Sequence, residues 1–160
     1  MGKLKSQMNR KGIRLEDVQY LLVTHFHPDH AGLTQELRNE GMHLLLMEPQ
    51  VPFVGELKMH IKPKFGYIEI VAEGSISLKA EESRAFLKGE GLDGEIVPTP
   101  GHSPDSMSLF LDEGMAFTGD LTHPLLLTEE DTVSKDSWKR IYALGTKMVY
   151  PAHGNAPYAK

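Results

Sequence analysis

The chain has 160 residues, 40% of them hydrophobic and 24% charged, with a formal charge of −5 and no cysteine. That balance suits one globular domain over residues 1–160, and the negative charge argues against a nucleic-acid backbone as main partner without excluding a local basic groove. With no cysteine, disulfides and thiolate ligands are ruled out, so any metal must be held by nitrogen and oxygen alone.

A short helix is expected over residues 4–11, closed by Gly12. The basic start carries no hydrophobic region of the signal-peptide kind, and no apolar run approaches bilayer-spanning length. A cytoplasmic location with no membrane partner is the expectation. The apolar run over 20–24 reads as a strand buried on both faces. From Ala31, Leu33 and Leu37 recur at helical spacing until Gly41. A second buried strand covers 42–47, followed by a proline-punctuated region through Pro63. Short strands are expected over 67–71 and 75–78, around a turn at Glu73-Gly74, and a helix over 80–88. Ile96-Val97 opens the next strand. Residues 107–111 and 115–118 form a hairpin across Asp112-Glu113-Gly114. Ser134 is placed as the cap of a helix running to Gly145, and 147–150 is a last strand. The alternation of strands and helices argues for a layered α/β arrangement. Gly89-Glu90-Gly91-Leu92-Asp93-Gly94 matches a dinucleotide-binding pattern literally, but it follows a helix and precedes a strand, the reverse of the required context. It is read as a turn.

The densest chemistry lies in His25-Phe26-His27-Pro28-Asp29-His30, directly after the first strand. Alternate side chains of an extended segment share a face, so His25 and His27 point the same way. Imidazole nitrogen and carboxylate oxygen are the ligand set of zinc and related first-row metals. Three further positions stand where a strand gives way to a loop with Gly or Pro: His102 after Thr99-Pro100-Gly101, Asp120 after Thr118-Gly119, and His153 between Pro151-Ala152 and Gly154. His123, three residues beyond Asp120, is a candidate for contact with the site or substrate. His43 reads as a packed residue or strand-end polar group. His60 lies among Lys58, Lys62 and Lys64 on an expected solvated face whose lysines could meet an anionic substrate.

In this order and these local contexts, His25-x-His27-x-Asp29-His30, His102, Asp120 and His153 resemble the metallo-β-lactamase-fold hydrolase superfamily, over about residues 12–154. The resemblance implies an αββα sandwich, two sheets face to face with helices outside. It implies a first metal on His25, His27 and His102, a second on Asp29, His30 and His153, and Asp120 bridging the two; spacing alone does not make that partition. Zinc is the first expectation, with iron or manganese compatible with the same ligands. Two such cations would lower the pKa of a bound water toward about 7 and arm it against an ester-like bond in a small molecule: thioester, lactone, phosphodiester or lactam. Asp29 and Asp120 are then the catalytic carboxylates, with Asp120 orienting the nucleophile.

Two other classes stay open: an iron-dependent oxidoreductase of the persulfide dioxygenase type on the same frame, and an inactive metal-binding remnant. The flavo-diiron branch usually has Glu where His27 stands. Against the family pattern the chain is expected to lack some N-terminal strands, and a second copy covering the bared surface would make a homodimer. The region 49–74 is the expected substrate-covering loop, with Phe53, Met59, Phe65 and Tyr67 lining a pocket or packing in the core.

Overall fold

The computed structural model describes residues 1–60, 66–154 and 157–159. In a first sheet β1 (Tyr20–Leu22), β2 (His43–Met47) and β3 (Ile76–Leu78) run parallel in that order. In a second, β4 (Gly94–Pro98), β5 (Met107–Leu111), β6 (Met115–Gly119), β7 (Met148–Pro151) and β8 (Tyr158–Ala159) are neighbours in chain order. Only the β6–β7 pair of that sheet is parallel. Parallel neighbours need crossovers, which helices supply. After α1 (Gly2–Arg10), α2 (Pro28–Ala31) and α3 (Thr34–Asn39) link β1 to β2, and α4 (Leu57–His60) lies between β2 and β3. Then α5 (Ala80–Gly89) precedes β4, and α6 (Thr132–Ala143) links β6 to β7.

The layering follows from the period of two along β2. Leu44 and Leu46 pack with Val23, Phe26, Ala31 and Leu57 on the helical side. Leu45 and Met47 point the other way, into a cluster with Leu78 of the first sheet and Ile96 and Met107 of the second. The two sheets therefore meet face to face. On the far side of the second sheet Phe110, Ala116 and Val149 pack under Trp138 and Ile141 of α6. The order is helix, sheet, sheet, helix, as the resemblance implies. Helix α1 lies across the start of the first layer, with Leu4 and Met8 against Leu15, Leu37 and Met42.

Several local expectations are corrected. The first strand stops at Leu22 and its three residues are only half-buried. Among the described residues β1 has a single neighbour, β2, so its apolar run packs above and below while its far edge stays open. No strand forms over 67–71: Val71 N donates to Gln35 Oε1 (2.9 Å) and Ile70 N to the Tyr67 hydroxyl (3.3 Å), while Ile68 and Val71 face solvent. Side chains, rather than a ladder, hold that segment. The helix expected from Ala31 starts earlier, at Pro28, whose fixed φ suits a first helical position, and it breaks before Thr34. Ser134 does not cap α6, which begins at Thr132; Ser134 is buried in its first turn beneath Gly101. The glycine-rich turn after α5 connects helix to strand as expected.

Candidate metal centre

The loop leaving β1 is pinned from behind by two buried polar side chains. Gln50, with no solvent exposure, donates through Nε2 to the carbonyls of Val23 (2.9 Å), Asp105 (3.2 Å) and Thr24 (3.3 Å), and its Oε1 accepts from Met47 N (3.4 Å). Asp105 Oδ2 accepts from Phe26 N at 2.7 Å. Met107 N donates to Thr24 O at 2.8 Å, tying the start of β5 to the same loop. An unmade bond to any of these buried groups costs about 1–3 kcal/mol, so the backbone through 23–26 is strongly specified.

On this backing, the histidines and carboxylates converge. One group joins His25, His27 and His102; a second joins Asp29, His30, Asp120 and His153, with the ligand-type atoms of each group within 4.8 Å of one another. His27 Nδ1 and His102 Nε2 are 3.0 Å apart, and His153 Nε2 is 3.0 Å from Asp29 Oδ2. Asp120 lies between the groups. Its Oδ2 is 3.1 Å from His30 Nε2, 3.6 Å from His102 Nε2 and 4.0 Å from His25 Nε2, while Oδ1 is 3.6 Å from His153 Nε2. All seven residues singled out in the sequence therefore meet at one edge of the two sheets.

Two glycines permit the approach. A Cβ on Gly119 would stand 2.7 Å from Thr24 Oγ1, and its φ of +57° already disfavours other residues. A Cβ on Gly101 would stand 2.3 Å from Ser134 Oγ. Gly119 thus lets the turn into Asp120 close onto Thr24, and Gly101 lets the His102 loop rest on α6, where Ser137 Oγ donates to Pro100 O (2.6 Å).

The electrostatics are those of a cation site. Burial, then the neighbouring imidazoles of His30, His27 and His102, push the His25 pKa down to about 4, against a partial counter-effect of Asp120. His25 is thus neutral near pH 7, with a nitrogen lone pair to offer. At Asp29 burial acts upward, but a backbone N–H and the imidazoles of His30 and His153 outweigh it and hold the carboxyl below its usual range. His25 Nε2 and Asp120 Oδ1 are buried with no hydrogen-bond partner. Buried orphans are costly, and two aimed at one cluster mark a place for a group that accepts both lone pairs.

Beside the cluster opens a cleft of about 540 Å³, with His102, Asp120 and His153 at one end and Leu121, Leu126 and Tyr158 along its wall. His123 also lines it, its ring 4.5 Å from that of Tyr158, and its Nδ1 accepts from Leu125 N (3.2 Å). None of the described residues of the expected loop over 49–74 lines this cleft. Phe53 and Tyr67 pack on the core, Met59 is exposed, and Phe53 and Glu56 line a small cavity of about 100 Å³ beside His27. Phe65, Lys62, Lys64 and the His60 side chain lie outside the described residues. His43 is an exposed strand-start group against Tyr20. Sequence reasoning missed Gln50, Asp105 and Tyr158; Thr24 stood inside the quoted motif without a role.

The sequence profile of the metallo-beta-lactamase superfamily matches residues 2–153. The chain belongs to this superfamily. A lactamase-like protein, nscB, of Trichophyton rubrum is 31% identical over 143 residues, which is 86% of this chain and 37% of that protein. The atrochrysone carboxyl ACP thioesterase of Aspergillus fumigatus is 30% identical over 141 residues, 86% of this chain and 38% of its own length. The chain thus spans well under half the length of either curated relative. Among solved structures, TTHA1623 in a di-iron-bound form superposes with a TM-score of 0.70 at 23% identity, covering 98% of this chain and 78% of the other. That likeness concerns the metallo-beta-lactamase fold alone.

Proposed function

We propose that this chain is a dinuclear metal-dependent hydrolase of an ester-like bond in a small molecule, and that thioesters are its leading substrate class. The observation that carries the reading is the pair of orphaned lone pairs, His25 Nε2 and Asp120 Oδ1, inside an all-nitrogen-and-oxygen cluster of two groups. His25, His27 and His102 would hold one cation; Asp29, His30 and His153 the other; Asp120, whose Oδ2 lies near His25, His30 and His102 and whose Oδ1 lies near His153, would bridge. The donor set suits zinc, the first choice, and also iron or manganese. Divalent cations there would supply Lewis acidity and lower the pKa of bound water toward about 7.

The protein's own contribution is orientation. Thr24 Oγ1 lies 3.2 Å from His25 Nδ1 and 3.5 Å from His30 Nδ1, so one hydroxyl oxygen can accept from both rings. Both imidazoles then carry their proton on Nδ1 and turn the Nε2 lone pair inward, one in each group. Asp29 and Asp120 are the catalytic carboxylates, placed to hold or pass a proton beside the cleft. At His123 the bond from Leu125 N leaves Nδ1 as acceptor, so the neutral ring carries its proton on Nε2 and can donate to substrate. In the reaction the acyl–sulfur bond breaks, water oxygen joins the acyl carbon, and the thiol leaves with a proton. The naming of one relative as a thioesterase supports this choice among ester-like bonds.

Metal analysis of protein purified without chelator, followed by a thioester, lactone and phosphodiester screen, tests the reading. Two equivalents of zinc per chain with turnover is the expected result; a chain that binds no metal from micromolar zinc or iron overturns it. The nitrogen-and-oxygen ligand set, which suits iron as well as zinc, leaves one second reading, an iron-dependent oxidoreductase of the persulfide dioxygenase type. Iron as purified, with oxygen uptake on persulfide, would decide for it. We further propose a cytoplasmic single domain that forms a homodimer along the open edge of β1, for which light scattering is the check.

A further inference from the structure

The wall of the cleft carries information that the metal cluster does not. We propose that the cleft takes an uncharged, apolar acyl group, and that Leu126 and Tyr158 set the acyl length it favours, an inference that rests on the hydrolase reading above. Three observations point this way. Leu125 and Leu126, in the 3-10 turn Pro124–Leu126 just beyond Asp120, are 88% and 73% exposed. Exposing two adjacent leucines forgoes the gain of burying them, and the second, Leu126, lines the same cleft as Asp120. The volume, about 540 Å³, is that of a pocket for a small molecule. Finally, no lysine or arginine stands among the described residues of its lining, and the acidic run Glu129-Glu130-Asp131 begins three residues after Leu126.

A phosphodiester would bring a permanent negative charge into that setting, and away from the Asp120 end no lysine or arginine among the described lining residues meets it. An acyl thioester brings none. Its carbonyl reaches the Asp120 end while its alkyl chain lies along Leu121, Leu126 and the Tyr158 ring. Burial keeps the Tyr158 hydroxyl protonated, with its pKa pushed up to about 12, so this wall adds no anion either. Tyr158 is held by the β8 pairing with Val149, which makes it a fixed end-wall, whereas Leu126 stands on the exposed rim.

The test is kcat/KM of the zinc-loaded protein on the S-acetyl, S-butyryl, S-hexanoyl and S-octanoyl esters of N-acetylcysteamine, beside bis(p-nitrophenyl) phosphate. Each added methylene buried should raise kcat/KM about threefold to fourfold until the wall is met, so hexanoyl should exceed acetyl by tenfold or more. Leu126→Ser should flatten that series through KM, with zinc content and melting temperature held, and Leu126→Met should restore it. A flat series in the parent protein, an equal slope in Leu126→Ser, or preference for the phosphodiester would overturn the inference and leave the hydrolase reading standing. If zinc binds but no substrate turns over, the hydrolase reading falls. The acyl cleft is then judged by calorimetry of the octanoyl ester with the metal-free protein: binding weakened by Leu126→Ser upholds it, and no binding or equal binding by both overturns it.

Discussion

The two halves of the candidate metal centre are built differently. The group of His25, His27 and His102 is anchored through His25, which has no exposure and whose loop is clamped by Gln50 and Asp105. The group of Asp29, His30 and His153 opens outward, with the Asp29 and His153 side chains 58% and 65% exposed. One half is preorganised by the core, and the other is completed at the surface beside the cleft. Preorganisation lowers the ordering cost of binding, so two cations should bind in two resolvable steps, the tighter on the buried half.

Removing the bridge should break the contrast altogether. Asp120→Ala takes away the carboxylate that stands between both groups, and turnover should fall by about 10³-fold or more, with metal content below two per chain. An Asp120→Ala protein with full activity and metal would sink the assignment. The buried half should respond to acid through His25. With a pKa of about 4 in the folded state and 6.5 as the ordinary value, His25 stays neutral in the native protein while the unfolded chain takes up a proton. Its contribution to stability is therefore complete above about pH 6.5 and lost as pH falls through about 4, a swing of order 3 kcal/mol. Melting temperatures of chelator-treated protein that stay level from pH 7 to 4.5 would contradict this.

Gln50→Ala strips four hydrogen bonds from the buried loop and should cost about 2–3 kcal/mol by urea unfolding. Thr24→Val, nearly isosteric, should weaken metal binding about 10–100-fold, with Thr24→Ser close to the parent; equal affinities for all three would remove the orienting role. His153→Ala should be the mildest, within about 0.5 kcal/mol of parent stability, and should abolish only the weaker metal step in calorimetry.

This contrast also explains what was legible in the sequence. Four ligand-type residues lie within six positions and declare themselves through spacing, and His102, Asp120 and His153 through the glycines and prolines that let strands end there. The continuous apolar run of β2 and the hairpin turn at Asp112-Glu113-Gly114 were likewise local signals. Gln50 and Asp105 gave none. Each acts on backbone groups distant in sequence, Asp105 on a residue 79 positions away, and a buried glutamine after a strand looks like any loop glutamine. The segment 67–71 misled because β-prone Ile68 and Val71 face solvent and the N–H groups of Ile70 and Val71 bond to side chains rather than to a neighbouring strand. The cleft wall was missed because Leu126 and Tyr158 are brought together only by the pairing of β7 with β8 and the turn after β6.

The pairing of Asp29 with His153 spans 124 positions, and that of His27 with His102 spans 75. The stretch from His25 to His30, by contrast, would offer a cation four ligand-type side chains even in a denatured chain. A cation added before refolding therefore finds a partial seat on the wrong state and subtracts from its own stabilising effect. Recovery of native protein should depend on the order of addition: denaturant removed under chelator first, zinc supplied afterwards.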